Sequence, residues 1–325
     1  MKRSVKIGLS LIVIGAVLAL IGFGFGGGAS SISWNNGPKV IDRKTQKEKM
    51  VQQSYTYNEV KNIDVSTSLP VRIITGDVKK TTVKVMTYQK LPELSYQQSH
   101  LKITDKQAGS VSPGHIKIEL FSWKYENQGD QDGIVITVPQ SQSLSDIQID
   151  GQNSSDVSLS DVKADKIAIQ HVADTRLKNI IVQHDLTLDD IEDTDLNDVT
   201  ASTATIKSDN GDLTIQNSRI SDGMNIQLED GDLNMHKNHI NTGKINTSYG
   251  DVALMNNQLS GQLTITAQDG DISAMIGKSS VTAKTLDGDI SAFNSHDDDQ
   301  TSYTHKGTTG AYVISTDSGD VTIKQ

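Results

Sequence analysis

The chain has 325 residues, with 30 Lys+Arg against 40 Asp+Glu, a formal net charge of −10 and no cysteine. The missing thiols exclude disulfides and a cysteine-linked lipid anchor. The acidic balance argues against a nucleic-acid partner, because phosphate binding needs clustered Lys and Arg.

Residues 1–6 form a short basic N-terminus through Lys2, Arg3 and Lys6, and an apolar run then extends from Ile7 to Phe25, broken only by Ser10 and glycines. Nineteen residues at about 1.5 Å rise reach about 28 Å, close to the thickness of bilayer hydrocarbon. Residues 7–28 are therefore expected to be a single transmembrane anchor. Positive residues ahead of it place the N-terminus in the cytoplasm and the large C-terminal part outside the cell. A cleaved signal peptide is the competing reading, with Gly27 and Ala29 as small residues near a cleavage site, but its apolar core is shorter, about 7–15 residues.

Residues 29–55 are rich in Ser, Asn, Gly, Lys and Gln without periodicity and read as a flexible stalk. Strand signals follow at Ile63-Asp64-Val65, Val71-Arg72-Ile73-Ile74, Thr82-Val83-Lys84-Val85, residues 115–120 and residues 134–138. Their spacing is irregular, so residues 56–149 are expected to form an N-terminal β cap, with loops around Pro92, Pro113 and Asp130. Asp130-Gln131-Asp132-Gly133 suggests a calcium loop, but the EF-hand register puts Gln128 and Pro139 where acids are needed.

From residue 150 to 325 one phrase keeps returning: Gly, Asp, an apolar residue, a polar one, an apolar one. It begins at Gly211-Asp212, Gly231-Asp232, Gly250-Asp251, Gly270-Asp271, Gly288-Asp289 and Gly319-Asp320, so the Asp offsets are 20, 19, 20, 18 and 31. A second alternating run follows each phrase about ten residues on, as in Met224-Asn225-Ile226-Gln227-Leu228 and Gln262-Leu263-Thr264-Ile265-Thr266. Alternation puts one face inward. A unit of this size cannot bury that face alone, so the units must stack. The expected fold is all-β: a parallel β-solenoid, β-helix-like, of about 19-residue two-strand coils, preceded by the one N-terminal transmembrane helix.

Gly and Asp suit one corner of such a coil, and Asn217, Asn238 and Asn256 suit the other, where a left-handed residue is needed. Asp195-Leu196, Arg176-Leu177 and Asp156-Val157 are expected to continue the register upstream. All five prolines lie at or before Pro139, as a ladder-rich stack requires. Residues 30–149 carry 15 Lys+Arg against 12 Asp+Glu, whereas residues 150–325 carry 12 against 28, a net of −16. Acidic corners keep such a body soluble, and they leave cations and basic peptides open as partners.

The layout resembles a bacterial candidate-adhesin family of repeat-containing envelope proteins, domain of unknown function 4097. The residues that carry the resemblance are Val60-Lys61-Asn62-Ile63-Asp64-Val65-Ser66 with Val71-Arg72-Ile73-Ile74, then Ile136-Thr137-Val138-Pro139 leading to Ile147-Gln148-Ile149-Asp150, then the serial Gly-Asp phrases. It covers residues 56–325 and departs at Arg176, at Asp195 and over residues 295–310. The resemblance implies a β-solenoid of the cell envelope, a link to envelope-stress signalling, and no catalytic residues.

The candidate site is a cation ladder. Asp212, Asp232, Asp251, Asp271 and Asp289 would stack about 4.8 Å apart, and carboxylates so spaced repel unless calcium or lysine relieves them. Calcium β-rolls use a shorter glycine-rich nonapeptide, so corner geometry is the stronger reading. No cofactor other than calcium is indicated. His236 and His239 read as a solvated turn, and His296, Asp297, Asp298, Asp299 and His305 as an exposed loop. Asp269 with Asp271 and Asp287 with Asp289 follow from the repeat without any need for catalysis.

The expected function is a membrane-anchored, extracellular, non-enzymatic interaction protein of the envelope, adhesin-like, with an envelope polymer or protein as partner. A carbohydrate-active β-helix enzyme is the first alternative, weakened by the few aromatic residues of the repeat. The second is a self-assembling solenoid, since stacks polymerise end to end unless capped.

Overall fold

The computed structural model describes residues 50–88, 90–105, 132–152, 155–293 and 300–325, and the backbone of 30–34 and 38–42. The expected membrane helix, the strand signal at 115–120, Asp130, and His296 with Asp297, Asp298 and Asp299 lie outside the described residues. Among the described residues no helix is long and apolar enough to cross a membrane.

By contacts the chain falls into two compact units. In the first, within the expected stalk, Ser30–Trp34 pairs antiparallel with Pro38–Asp42. The second is a stack of coils. Each coil has a leading strand, which follows the Gly-Asp phrase, and a trailing strand. Leu213–Gln216, Leu233–His236, Val252–Met255 and Ile272–Met275 are successive leading strands in parallel register. The C-terminal part of Arg219–Asp230, Gly243–Tyr249 and Gln262–Asp269 are the trailing strands. Alternation does what period 2 requires: Leu213, Leu233, Val252 and Ile272 lie one above the other inside, all at most 1 % exposed. Each such side chain withdrawn from water contributes about 1.5–3 kcal/mol, and only the neighbouring coils make that burial available.

The middle coils carry more than two strands. Arg219-Ile220, His239–Ile240 and Gln258–Leu259 pair as a short third strand between the Asn corner and the trailing strand. At that corner the left-handed residue is Asn217 (φ 54), Lys237 (φ 56) and Asn256 (φ 55). Asn238, expected at the turn, lies one residue further on and points inside.

Upstream, the register differs from the expected one by two residues. Asp156 faces Asp174, so Arg176 sits opposite Ser158. Likewise Asp195 lies opposite Thr214, not Asp212. Threonine explains the slip: Thr175 faces Val157 and Thr194 faces Leu213, so both occupy inward positions where an apolar residue marks the other coils. Leu177 and Leu196 are the second inward residues of their strands.

Chain order and stacking order part company at both ends. Asn62–Ser66 and Val71–Gly76 form a coil between the one built from His100–Thr104 with Gly133–Pro139 and the one built from Leu144–Asp150 with Asp156–Ser160. At the other end the last coil, Ala311–Ser318 with Val321–Lys324, is inserted between the coils of residues 262–275 and 280–292. The Asp order is therefore 271, 320, 289, which corrects the expected adjacency of Asp271 and Asp289.

Antiparallel strands cover the trailing-strand edge at each end: Glu93–Gln97 on His100–Thr104, and Ser302–His305 on Ser280–Asp287. Residues 302–305, expected in an exposed loop, are thus a capping strand. Ile290 N–H donates to the Gln300 carbonyl at 2.9 Å, occupying part of the final leading strand as well. Aromatic rings seal both caps, Tyr57 against Tyr96 at 4.8 Å and Phe293 against Tyr303 at 6.1 Å. Covered edges deny a second stack the open ladder it would need to continue.

Candidate functional site

At the Gly-Asp corner the ladder is built from backbone. The Asp232 N–H donates to Asp212 Oδ1 at 2.8 Å, Asp251 N–H to Asp232 Oδ1 at 2.8 Å and Asp271 N–H to Asp251 Oδ1 at 2.9 Å. The series continues through Asp320 to Asp289 at 2.8 and 2.9 Å, and it begins one coil earlier, where Asp212 N–H donates to Asp193 at 3.0 Å. The carboxylates of Asp193, Asp212, Asp232, Asp251, Asp271 and Asp320 each accept a hydrogen bond from the coil that follows in the stack, and a charge-assisted bond of this kind is among the stronger ones. Gly231 and Gly250 adopt φ of 128° and 114°. A Cβ on either would also collide with the carbonyl oxygen of the glycine one coil back. Side-chain residues can neither take that conformation nor fit that approach. Gly and Asp are thus bound to this corner by stacking, one by space and one by hydrogen bonding.

The opposite corner hides a second ladder. Asn238 Oδ1 accepts from Ser218 N–H at 2.8 Å while its Nδ2 donates to Ile215 O at 2.8 Å, and Asn257 repeats this with Asn238 N–H at 3.0 Å and Met235 O at 2.9 Å. Upstream the same inward position holds Val162, Ile180 and Val199. The Asn side chains replace apolar packing with bonds to the backbone, and their Oδ1 atoms take the buried Ser218 and Asn238 N–H groups. Repeat spacing pointed to Asn at this corner, but to its turn and not to its interior.

Beside the short third strands lies an open groove of about 370 Å³, lined by Arg219, His239 and Gln258, by Ile220, Ile240 and Leu259, and by Ser221, Asn241 and Ser260. Three equivalent positions repeat in three coils. Nothing in a single phrase signals it; only reading the sequence in columns nineteen or twenty residues apart would bring Arg219, His239 and Gln258 together.

The remaining sequence candidates separate. His236 lies on the leading-strand face between Gln216 and Met255, whereas His239 lines the groove. Asp269 stands in a column with Tyr249 and Ser318, one glycine away from Asp271. His305 rests 5.1 Å from the Phe293 ring. Among the described residues no three His, Asp or Glu side chains converge as a metal-holding group.

Perturbed carboxyls occur upstream. Burial works to raise Asp150, yet hydrogen bonds from Gln152 N–H, Gln170 and His171 outweigh it and hold the carboxyl below its usual range. Asp156 moves the other way: burial raises it, the Asp174 charge adds to this, and Arg176 only partly offsets them. Burial pushes the Tyr312 hydroxyl up to about 12, and that hydroxyl has no hydrogen-bond partner among the described residues.

These observations define a capped parallel β-solenoid with an acidic repeat and two polar corner ladders. The Toastrack DUF4097 family profile matches residues 60–324, and the chain belongs to that family. No curated protein matches it. Among solved structures, a candidate adhesin from Parabacteroides distasonis is 12 % identical, with 84 % of this chain and 97 % of that chain covered and a TM-score of 0.43. A candidate adhesin from Bacteroides fragilis is 13 % identical, with 85 % and 97 % covered and a TM-score of 0.38. A candidate lipid-binding protein from P. distasonis is 12 % identical over 85 % and 97 %, with a TM-score of 0.41.

Proposed function

We propose that the chain is a membrane-anchored, extracellular scaffold of the cell envelope whose solenoid presents a non-enzymatic, adhesin-like binding surface, with envelope-stress signalling as its cellular setting. The observation that carries this reading is the order of parts: a basic N-terminus, a nineteen-residue apolar run, then a solenoid of the Toastrack family. The carboxylates that first suggest chemistry support the same reading. Asp212, Asp232, Asp251 and Asp271 each spend an oxygen on backbone hydrogen bonds, a structural use. Covered strand edges favour a discrete stack over the self-assembling alternative.

Because the chain has no cysteine, one engineered thiol reports its side of the membrane without background. Ser248→Cys should react with a membrane-impermeant maleimide on intact cells, and Ser4→Cys only after lysis. The reverse pattern, or equal labelling of both before lysis, overturns the anchored, outward-facing reading.

A further inference from the structure

We infer that the groove over Arg219, His239 and Gln258 is a binding site for an anionic glycopolymer, a linear sugar or polyol chain bearing carboxylate or phosphate groups. The inference rests on the envelope location proposed above and names the ligand class of one face.

The first reason is charge. Residues 150–325 carry a net of −16, yet Arg219 and His239 stand one above the other in register across neighbouring coils. Among the described residues neither side chain is ion-paired, in contrast to Lys166 with Asp185 or Arg176 with Asp174. A guanidinium free of carboxylates offers a planar fork to a carboxylate or phosphate oxygen pair.

The second reason is the remaining lining. Gln258, Ser221, Asn241 and Ser260 offer neutral donors and acceptors along the walls, while the side chains of Ile220, Ile240 and Leu259 are buried in the core behind them. Hydroxyl-rich chains match that polar lining. At about 4.8 Å per coil, the three coils present about 10 Å of continuous surface, enough for several points of contact with a short stretch of polymer.

The third reason excludes a peptide laid down as an added strand. The groove's backbone groups are committed between coils: His239 N–H to Ser218 O at 2.8 Å, Asn241 N–H to Ile220 O at 3.1 Å, Gln258 N–H to Asn238 O at 2.8 Å and Ser260 N–H to Ile240 O at 3.1 Å. Strand addition needs a free ladder. A ligand here must be read by side chains.

The test uses the full chain in detergent, with polygalacturonate as the carboxylate probe, poly(glycerol phosphate) as the phosphate probe and dextran as the neutral control. Binding to one or both anionic polymers, weakened by salt and absent for dextran, is the expected result, and the polymer that binds assigns the anion. Arg219→Gln should weaken binding about tenfold, the loss of one charge-assisted contact, with His239→Gln weakening it less. Both side chains lie on the surface, so the melting temperature should be unchanged. Lys244→Gln, on the outward trailing face, should bind like the parent. Failure of both polymers to bind, equal binding of dextran, an unaffected Arg219→Gln, or an equal loss in Lys244→Gln overturns the site. Failure here with correct maleimide labelling removes the ligand and leaves the location; binding with inverted labelling does the opposite.

Discussion

The coils between residues 156 and 199 and those between residues 211 and 275 belong to one parallel stack, yet they close their corners with different backbone conformations and different chemistry. Downstream, each trailing strand turns into the next leading strand through glycines at φ between 108° and 140°, a conformation that belongs to glycine. Upstream the turn instead places a left-handed residue earlier, Gln152, His171 and Asp190 at φ of 51° to 54°, a region polar residues tolerate, and Asp190 lies two residues before Glu192, on which Gly211 stacks. The opposite corner differs as well, with Asn238 and Asn257 inside downstream and Val162, Ile180 and Val199 upstream. The corner problem therefore has two solutions, and only one of them leaves a repeated phrase in the sequence.

The largest effect that separates the two solutions is expected at glycine. Gly250→Ala puts a Cβ against the Gly231 carbonyl and forces a disallowed φ at once. The loss should be about 3 kcal/mol or more, since neither problem is relieved by a side-chain rotation. His171→Gly, by contrast, should shift stability by less than about 1 kcal/mol, because glycine enters the left-handed region freely and loses only side-chain contacts. Thermal or urea unfolding of the two variants measures this; comparable losses would mean that the corners are not two solutions of one problem.

Next in size is the Asn ladder. Asn238→Leu keeps approximate volume but leaves the Ser218 N–H buried without a partner and removes the side-chain bond to the Ile215 carbonyl. About 2–3 kcal/mol should be lost, from one orphaned donor at about 1–3 kcal/mol together with a lost side-chain hydrogen bond at about 1 kcal/mol. Val199→Ala, the upstream counterpart, removes only methyl groups and should cost about 1–3 kcal/mol. Equal losses would show that the ladder contributes no more than packing does.

These residues also show what could be read from the chain alone. Gly-Asp was legible because space and hydrogen bonding fix both residue types at one corner, so selection of the residue repeats with the coil. Register upstream was not, since Thr175 and Thr194 fill inward positions with a residue that ordinarily marks the outer face. Stacking order at the C-terminal end was hidden for a different reason. Ile290-Ser291-Ala292 and Val321-Thr322-Ile323 carry the same alternation, and either could pair with Ile272–Met275; which one does depends on the excursion through the 302–305 strand, a non-local matter. The groove stayed invisible because its residues face outward, where the repeat imposes no pattern.

Thr194 offers a smaller test in the same frame. Its hydroxyl is buried beside Leu213 with no hydrogen-bond partner among the described residues. Thr194→Val keeps the shape and removes the orphan, so it should stabilise by about 1 kcal/mol. Ser218→Val should do the reverse, because the Ser218 hydroxyl accepts from Val199 N–H at 3.0 Å and donates to the Gln216 carbonyl at 2.9 Å. Opposite signs from two substitutions of buried hydroxyls would place the boundary between the apolar and polar corners at Val199 and Ser218.

The smallest expected effect is electrostatic and belongs to the upstream coils. Asp150 has its carboxyl lowered in the folded state, so its stabilisation is complete above the unfolded value, near 3.9, and fades as pH falls through the folded value. Asp156 is raised, so it favours folding most below the unfolded value and progressively less as pH rises through the folded one. The two slopes oppose each other in the acid range. Asp150→Asn should therefore make the protein's stability less sensitive to acid between about pH 5 and pH 2, and Asp156→Asn should remove a penalty that persists at neutral pH. Melting temperatures recorded from pH 3 to pH 7 distinguish the cases: the Asp150→Asn difference from the parent should shrink toward low pH, and the Asp156→Asn difference should grow toward neutral pH. Identical pH profiles for the two variants would mean that the His171 and Gln170 bonds to Asp150 and the Asp174 charge beside Asp156 are fully screened by solvent, leaving the backbone ladders and the buried columns as the whole basis of stability in these coils.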